Sequence, residues 1–315
     1  VMGMSSPLWA TEEILDVITW MRSYNEEHRD KVRFFGADLV SLHDLSFGKV
    51  TEYVDRVAPG RLPELEAELD PLRMRGSFPE HLQWYAGLTA DEQQELIDHG
   101  HAMVELLESL PEDSSDIDGE YARQHGRAIV GWYQNYTSDK TLRPVRERFI
   151  AASVAWWKRV RGGRIAYWAA NAHTGAAANV TYQKPGDTST GDWAGHYLRK
   201  HFGRRYVSIG TAFREGSVTS GWAPPAPHRV DPPRSHLLEA TLGRADAADF
   251  LLDLRAAGPR PVRDWLTGQA EIRMVHPDYT GDGDASGHTM STGTLNELFD
   301  AIVHIRTTTP SRLLT

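Results

Sequence analysis

The chain contains no cysteine, which excludes disulfides, thiolate nucleophiles and cysteine-ligated zinc. It also lacks the basic excess of a nucleic-acid surface: 34 Lys and Arg stand against 43 Asp and Glu, a net charge of −9. Lysine itself is scarce, at Lys31, Lys49, Lys140, Lys158, Lys184 and Lys200 only. That bias toward arginine fits a GC-rich bacterial genome. No run approaches the roughly 18 consecutive apolar residues that span a bilayer, so no membrane partner is expected. Val1-Met-Gly-Met4 has neither the basic start nor the apolar run of a signal peptide. The expected location is cytoplasmic or secreted in a bacterium. Several catalytic signatures are missing too. Ser189 has Asp187 where a nucleophile elbow needs glycine, and no HExxH or glycine-rich phosphate loop occurs. The loop Asp278-Tyr-Thr-Gly-Asp-Gly-Asp284 carries Thr289 where a calcium loop needs glutamate, and reads as an acidic loop. No cofactor and no metal are expected.

What is present is enough apolar residue, 40% of 315, to bury a substantial core. Leu8, Ile14, Leu15, Val17, Ile18 and Met21 share one helical face, and Thr11-Glu-Glu13 precedes them as a capping sequence. Val32-Arg-Phe-Phe35 reads as a short buried strand, so residues 1–44 supply a helix and a strand to a sheet. Residues 45–160 carry helical patterns, among them Thr89–Leu110 and Tyr121–Tyr136, cut into short pieces by Pro59, Pro63, Pro71, Pro79 and Pro111. After Gly162-Gly163 the pattern changes. Arg164–Trp168, Arg205–Ile209, Asp249–Asp253 and Ala301–Ile305 are apolar enough for strands, with helical stretches near Asp192–Phe202 and Ser235–Leu242. The expected fold is α/β: a central mixed sheet flanked by helices, built mainly from residues 161–315, with a largely helical lobe inserted at 45–160. The proline-rich Ala223–His228 and Asp231–Arg234 stretches read as surface connections.

Strand ends in such sheets are where sites form. Three carry polar groups: Asp38 after the first strand, Asn171-Ala-His173 after Arg164–Trp168, and Arg255 after Asp253. A histidine at a strand end is suited to polarising water as a general base, and equally to a structural hydrogen bond. Asn171 offers its amide either to a carbonyl oxygen or to its own turn. Arg146 and Glu147 open a helix, where a carboxylate is stabilised by the helix dipole and the pair can line a polar cleft.

The segment Tyr167-Trp-Ala-Ala-Asn-Ala-His-Thr174 resembles the Trp-Ala-His-Asn-x-His motif of the erythromycin esterase family, whose members open macrolide lactones or act on other esters. The resemblance extends over nearly the whole chain. Trp9-Ala-Thr-Glu-Glu13 with Trp20–Asn25, Phe34-Phe-Gly-Ala-Asp38, Arg146–Ser153, Gly203–Gly210, Phe250–Arg255 and Phe299–Ile302 are similar to the family's segments, in order. It implies catalytic roles for His173, Asp38, Arg146 and Glu147. It implies substrate contacts from Asn171, Trp9 and Glu12, with a small-molecule ester or lactone as substrate. This sequence departs from the family at Ala170, where the first motif histidine would stand, and at Glu147 and Ser153, where the family has Asp and Asn. The family's Gly-Glu-x-x-His-Gly motif, which the resemblance makes the source of the base histidine and its carboxylate partner, has no counterpart in these residues. The chain as given is therefore expected to be catalytically incomplete. The alternatives are a related scaffold performing another natural-product biosynthetic step, or a non-catalytic binding protein.

Overall fold

The computed structural model describes residues 7–111, 116–138, 145–221, 224–256, 258–281 and 285–314. Thr11 starts helix α1 (Glu12–Glu27) as expected from its sequence, its hydroxyl accepting the Ile14 N–H. The chain forms two compact units, Ala37–Ala166 and the combination of Val1–Gly36 with Tyr167–Thr315.

The unit Ala37–Ala166 is helical: α2 (Asp44–Val57), α3 (Leu62–Leu69), α4 (Phe78–Ala86), α5 (Ala90–Ser109), α6 (Ile117–Tyr136) and α7 (Val145–Arg161). Pro63 and Pro79 sit in the first turns of α3 and α4, where a missing N–H costs nothing. Ser77 with Glu80 and Thr89 with Glu92 close capping boxes on α4 and α5. The core joins Phe47, Val50 and Val54 to Leu65, Leu69, Tyr85, Leu107, Ile129 and Trp132. One buried histidine belongs to it. The His81 Nδ1 accepts the Arg75 N–H at 3.1 Å, which leaves Nε2 to donate to the Tyr133 oxygen at 3.1 Å, while Tyr133 donates to the Leu72 carbonyl at 2.7 Å. Every polar atom of the ring is satisfied only if it stays neutral.

The other unit continues with α8 (Asn171–Thr174), β1 (Val180–Lys184), β2 (Asp187–Gly191), α9 (Ala194–Phe202), β3 (Ile209–Ser220), β4 (Ala226–Val230), α10 (Leu238–Leu242), β5 (Phe250–Asp253), α11 (Arg260–Leu266), β6 (Ala270–Arg273), β7 (Thr289–Thr292), α12 (Leu295–Leu298) and β8 (Ala301–Thr308). The strands make two four-stranded sheets, ordered β2-β1-β7-β6 and β4-β3-β8-β5. The first is antiparallel; the second is mixed, because β3 and β8 run parallel. Val180, Ile272 and Met290 from one sheet and Ala212, Phe250, Leu252 and Ile302 from the other share one core. The architecture is thus the expected mixed α/β, with two sheets where one was read.

Three strand expectations need correcting. Val32–Phe35 is irregular and Phe34 is exposed. The Asn25 side-chain amide takes both backbone groups of Val32, at 2.7 and 2.8 Å, leaving them none to offer a neighbouring strand. Asp38 therefore follows no strand. Arg164–Trp168 is likewise irregular and outside any sheet; Gly162 and Gly163, both at φ +66°, turn the chain off α7 just before it. Arg205–Ile209 begins as a 3-10 turn, and the strand starts only at Ile209. The proline-rich stretch also differs: residues 226–230 are an edge strand, where Pro227 loses no ladder bond it needs. Residues 282–284 of the acidic loop and Pro111's neighbours 112–115 lie outside the described residues.

Two buried ionisable groups, one in each unit, respond to pH in opposite directions. Burial, helped by the Arg75 charge, pushes His81 down to about 4. An unfolded histidine titrates near 6.5. Its contribution is therefore present above about pH 6.5 and lost as pH falls toward 4, amounting to about 3 kcal/mol. Burial pushes Glu239 on α10 up to about 7, although the Arg273 N–H donates to its Oε1 at 3.0 Å. That contribution is present below an unfolded glutamate's value of about 4.3 and lost as pH rises through about 7. Denaturant titrations at several pH values should show His81→Gln flattening the acid-side loss and Glu239→Gln the loss toward neutrality. Variants with the parent's pH dependence would contradict these assignments.

Candidate functional site

His173 lies on α8, a single turn too short to hold itself together. Its position is set from outside. The Asn171 side chain accepts the Thr211 N–H at 2.9 Å and donates to the Thr211 carbonyl at 2.7 Å, so one amide pairs with the edge of β3 as a neighbouring strand would. At the other end of α8 the Thr174 carbonyl accepts both the Tyr206 hydroxyl at 2.7 Å and the Ser208 hydroxyl at 2.6 Å. Ser208 is itself tied to Asp300, which receives its N–H at 2.8 Å and a guanidinium hydrogen of Arg199 at 2.5 Å. A third contact is steric. A Cβ on Gly195 would lie 2.2 Å from the Gly175 carbonyl oxygen and 2.5 Å from that of Thr174. Only glycine lets α9 approach α8 this closely.

That approach brings Trp193, at the start of α9, edge-on to the His173 imidazole, with ring centres 5.4 Å apart. Trp193 is fixed in turn by its indole N–H on the Val180 carbonyl and by Tyr182 at 6.3 Å. His173 is half-buried and Asn171 nearly fully so. The amide that the sequence offered to a carbonyl oxygen is engaged by Thr211, which makes Asn171 a positioning residue for α8.

Two other candidates of this unit sit at the start of α1. Glu12 meets the Arg312 guanidinium at 3.0 Å and Glu13 meets it at 3.1 Å. The Glu12 N–H also bonds the Arg312 carbonyl, and Thr11 bridges to Leu313. Trp9 meets Trp168 edge-on at 5.5 Å. Arg312, Trp193 and Trp168 are not among the residues that the sequence marks as candidates. For Trp168 a signal existed, since it stands five positions before His173. Arg312 and Trp193 carry none that separates them from other arginines and tryptophans. Arg255 closes on its neighbour Asp253 at 3.0 and 3.2 Å and borders a shallow cleft with Leu254, Arg263, Leu266 and Asn296.

In the helical unit the structure brings Asp38, Arg146 and Glu147 together. Arg146, in the first turn of α7, forms a two-pronged pair with Asp38, Nε to Oδ1 at 2.7 Å and Nη2 to Oδ2 at 2.6 Å. Burial works against the Arg146 charge, but the Asp38 hydrogen bonds and the charges of Asp38 and Glu147 outweigh it and raise its proton affinity. Arg146 is a permanent cation whose direction Asp38 fixes. Glu147 is buried, as is Ser153, which accepts a hydrogen bond from Gln124 at 2.9 Å. Among the described residues no group of three or more His, Asp or Glu is arranged to hold a metal ion.

The sequence model that matches, over residues 1–308, is that of erythromycin esterase. No curated protein matches. Among solved structures, a succinoglycan biosynthesis protein is 25% identical, with TM-score 0.78 over 97% of this chain and 73% of its own. A Bacillus cereus protein is 23% identical, with TM-score 0.81 over 98% and 75%. A mutant erythromycin esterase, EreC, in its open conformation is 17% identical, with TM-score 0.67 over 99% and 76%. The scaffold is hydrolase-like.

The contact beneath His173 is open to a direct check. Gly195→Ala places a methyl against two backbone carbonyls that cannot turn aside, and should cost about 3 kcal/mol. Calorimetry should show Tm lower by roughly 6–12 °C. An unchanged Tm would mean that α8 and α9 are not so closely joined.

Proposed function

Because the chain belongs to the erythromycin esterase family, we propose that it is a hydrolase that opens an ester or macrolide-like lactone with water, without a covalent intermediate. The observation that carries this reading is the presentation of His173: a one-turn helix held by Asn171, by the Thr174 carbonyl and by the Gly195 contact. Held groups are what proton transfer needs, since a base or acid acts only within hydrogen-bond reach of the proton it moves. In this reading His173 orients the attacking water or protonates part of the substrate. Within the helical unit Arg146, aimed by Asp38 and flanked by Glu147, is a fixed cation of the kind that stabilises an anionic oxygen. Asn171 acts through α8.

A second reading keeps the scaffold and changes the reaction to a biosynthetic step. It has in its favour the succinoglycan biosynthesis protein among the similar structures.

The test is hydrolysis of a panel of esters and macrolactones by the protein at its natural length. His173→Ala should lower kcat by about 10²-fold or more where the histidine handles a proton. Turnover that persists unchanged in a folded His173→Ala protein would overturn the assignment.

A further inference from the structure

Trp168 is 66% exposed and Trp9 39%. A lone exposed apolar side chain needs no explanation. Two exposed indoles set edge-on at 5.5 Å do, because together they form an apolar patch rather than a scattered side chain. Trp9 ends the 3-10 turn Pro7–Trp9, and the next two residues are pinned: the Ala10 carbonyl accepts the Leu314 N–H at 2.8 Å and Thr11 bridges to Leu313. Trp168 lies on the irregular stretch that runs into α8, whose first residues hang from the Ala170 carbonyl, bonded by the His173 N–H at 2.9 Å. Between Trp168 and Asn171 the chain offers only Ala169 and Ala170. Five residues span at most about 18 Å, so the Trp168 backbone lies within that reach of the His173 backbone.

We propose that Trp9 and Trp168 form the subsite that holds the apolar part of the substrate, selecting esters or lactones with a large hydrophobic acyl portion over short ones. The inference rests on the hydrolase reading and names the substrate class for it. Aromatic faces bind aliphatic and ring CH groups without specifying their substituents, as a large acyl chain or macrolactone requires. Each methylene removed from water strengthens binding about fourfold, so chain length is the variable this subsite reads. The charged side chains nearby in sequence, Glu12 and Glu13, are engaged with Arg312 and leave the pair's own chemistry apolar.

The test compares the natural-length protein with Trp168→Ala, Trp9→Ala and Trp168→Phe on 4-nitrophenyl acetate, butyrate and octanoate. Trp168→Ala should reduce the octanoate-to-acetate ratio of kcat/KM about tenfold through KM, with Trp168→Phe recovering most of it. In parallel, binding of the non-hydrolysable ketones 2-decanone and 2-butanone is followed by tryptophan fluorescence. The parent should favour 2-decanone at least tenfold, and Trp168→Ala should remove that preference. Ester turnover with an unaltered chain-length ratio would overturn the subsite and leave the hydrolase reading standing. Ketone selectivity that depends on Trp168, without turnover of any ester, would overturn the hydrolase reading and leave the subsite standing. Absence of both would overturn both. Trp168 is largely exposed, so its truncation should leave the melting temperature unchanged, and a shared loss of stability would assign it a structural role instead.

Discussion

The hydrogen-bonded pairing of the Asn171 side-chain amide with the backbone of Thr211 is the constraint on which the candidate site depends. A residue in a parallel strand points its N–H and C=O to the same side. At Thr211 both face away from β8, its partner on the other side. Thr211 itself is exposed, but Asn171 is buried, and leaving its amide unpaired there would cost about 1–3 kcal/mol. Asn171 satisfies both Thr211 groups with one side chain. The consequence is that α8 has a fixed place despite being too short to be stable by itself. From that fixed place follow the carbonyl of Thr174, the close approach at Gly195, and the edge contact between Trp193 and His173. The same device recurs at Asn25 and Val32, where it replaces a strand that the sequence pattern anticipates.

Charge is treated in the same spirit. Arg146 is held by Asp38 in two-pronged geometry, which fixes where its positive charge points. Arg312 divides itself between two glutamates and fastens the start of α1 to the end of the chain. The first arrangement aims a cation; the second closes a seam. Both are ion pairs, and what separates them is that Arg146 is flanked by a further buried carboxylate, Glu147.

Helices were readable in the sequence because their signals are local. Thr11, Ser77 and Thr89 mark starts, prolines mark first turns, and the Gly162-Gly163 pair marks an end. Strands were less so. Ala301–Ile305 and Asp249–Asp253 were found because both contribute alternate side chains to a core. The hairpin of β1 and β2, turning at Pro185-Gly186, was missed because Asp187–Gly191 is polar throughout and exposed on nearly all its length. Val32–Phe35 and Arg164–Trp168 read as strands because they are apolar, whereas pairing depends on partners that composition does not reveal. Of the candidate site, the ion pair of Asp38 with Arg146 joins residues 108 positions apart, and each could be named from its motif. The role of Asn171 could not. An asparagine after an apolar run looks the same whether its amide meets a ligand or a strand edge.

The central claim is that the Asn171 amide holds α8 to β3 and so presents His173. Amide hydrogen exchange at Thr211 tests it most directly. In the parent protein the Thr211 N–H should be protected, and in Asn171→Ala it should exchange at least about tenfold faster, since about 1.4 kcal/mol of local stability corresponds to that factor. The neighbouring N–H of Ala212, which faces β8, should keep its protection. Equal exchange at Thr211 in the two proteins would contradict the claim and leave the placement of His173 without its cause.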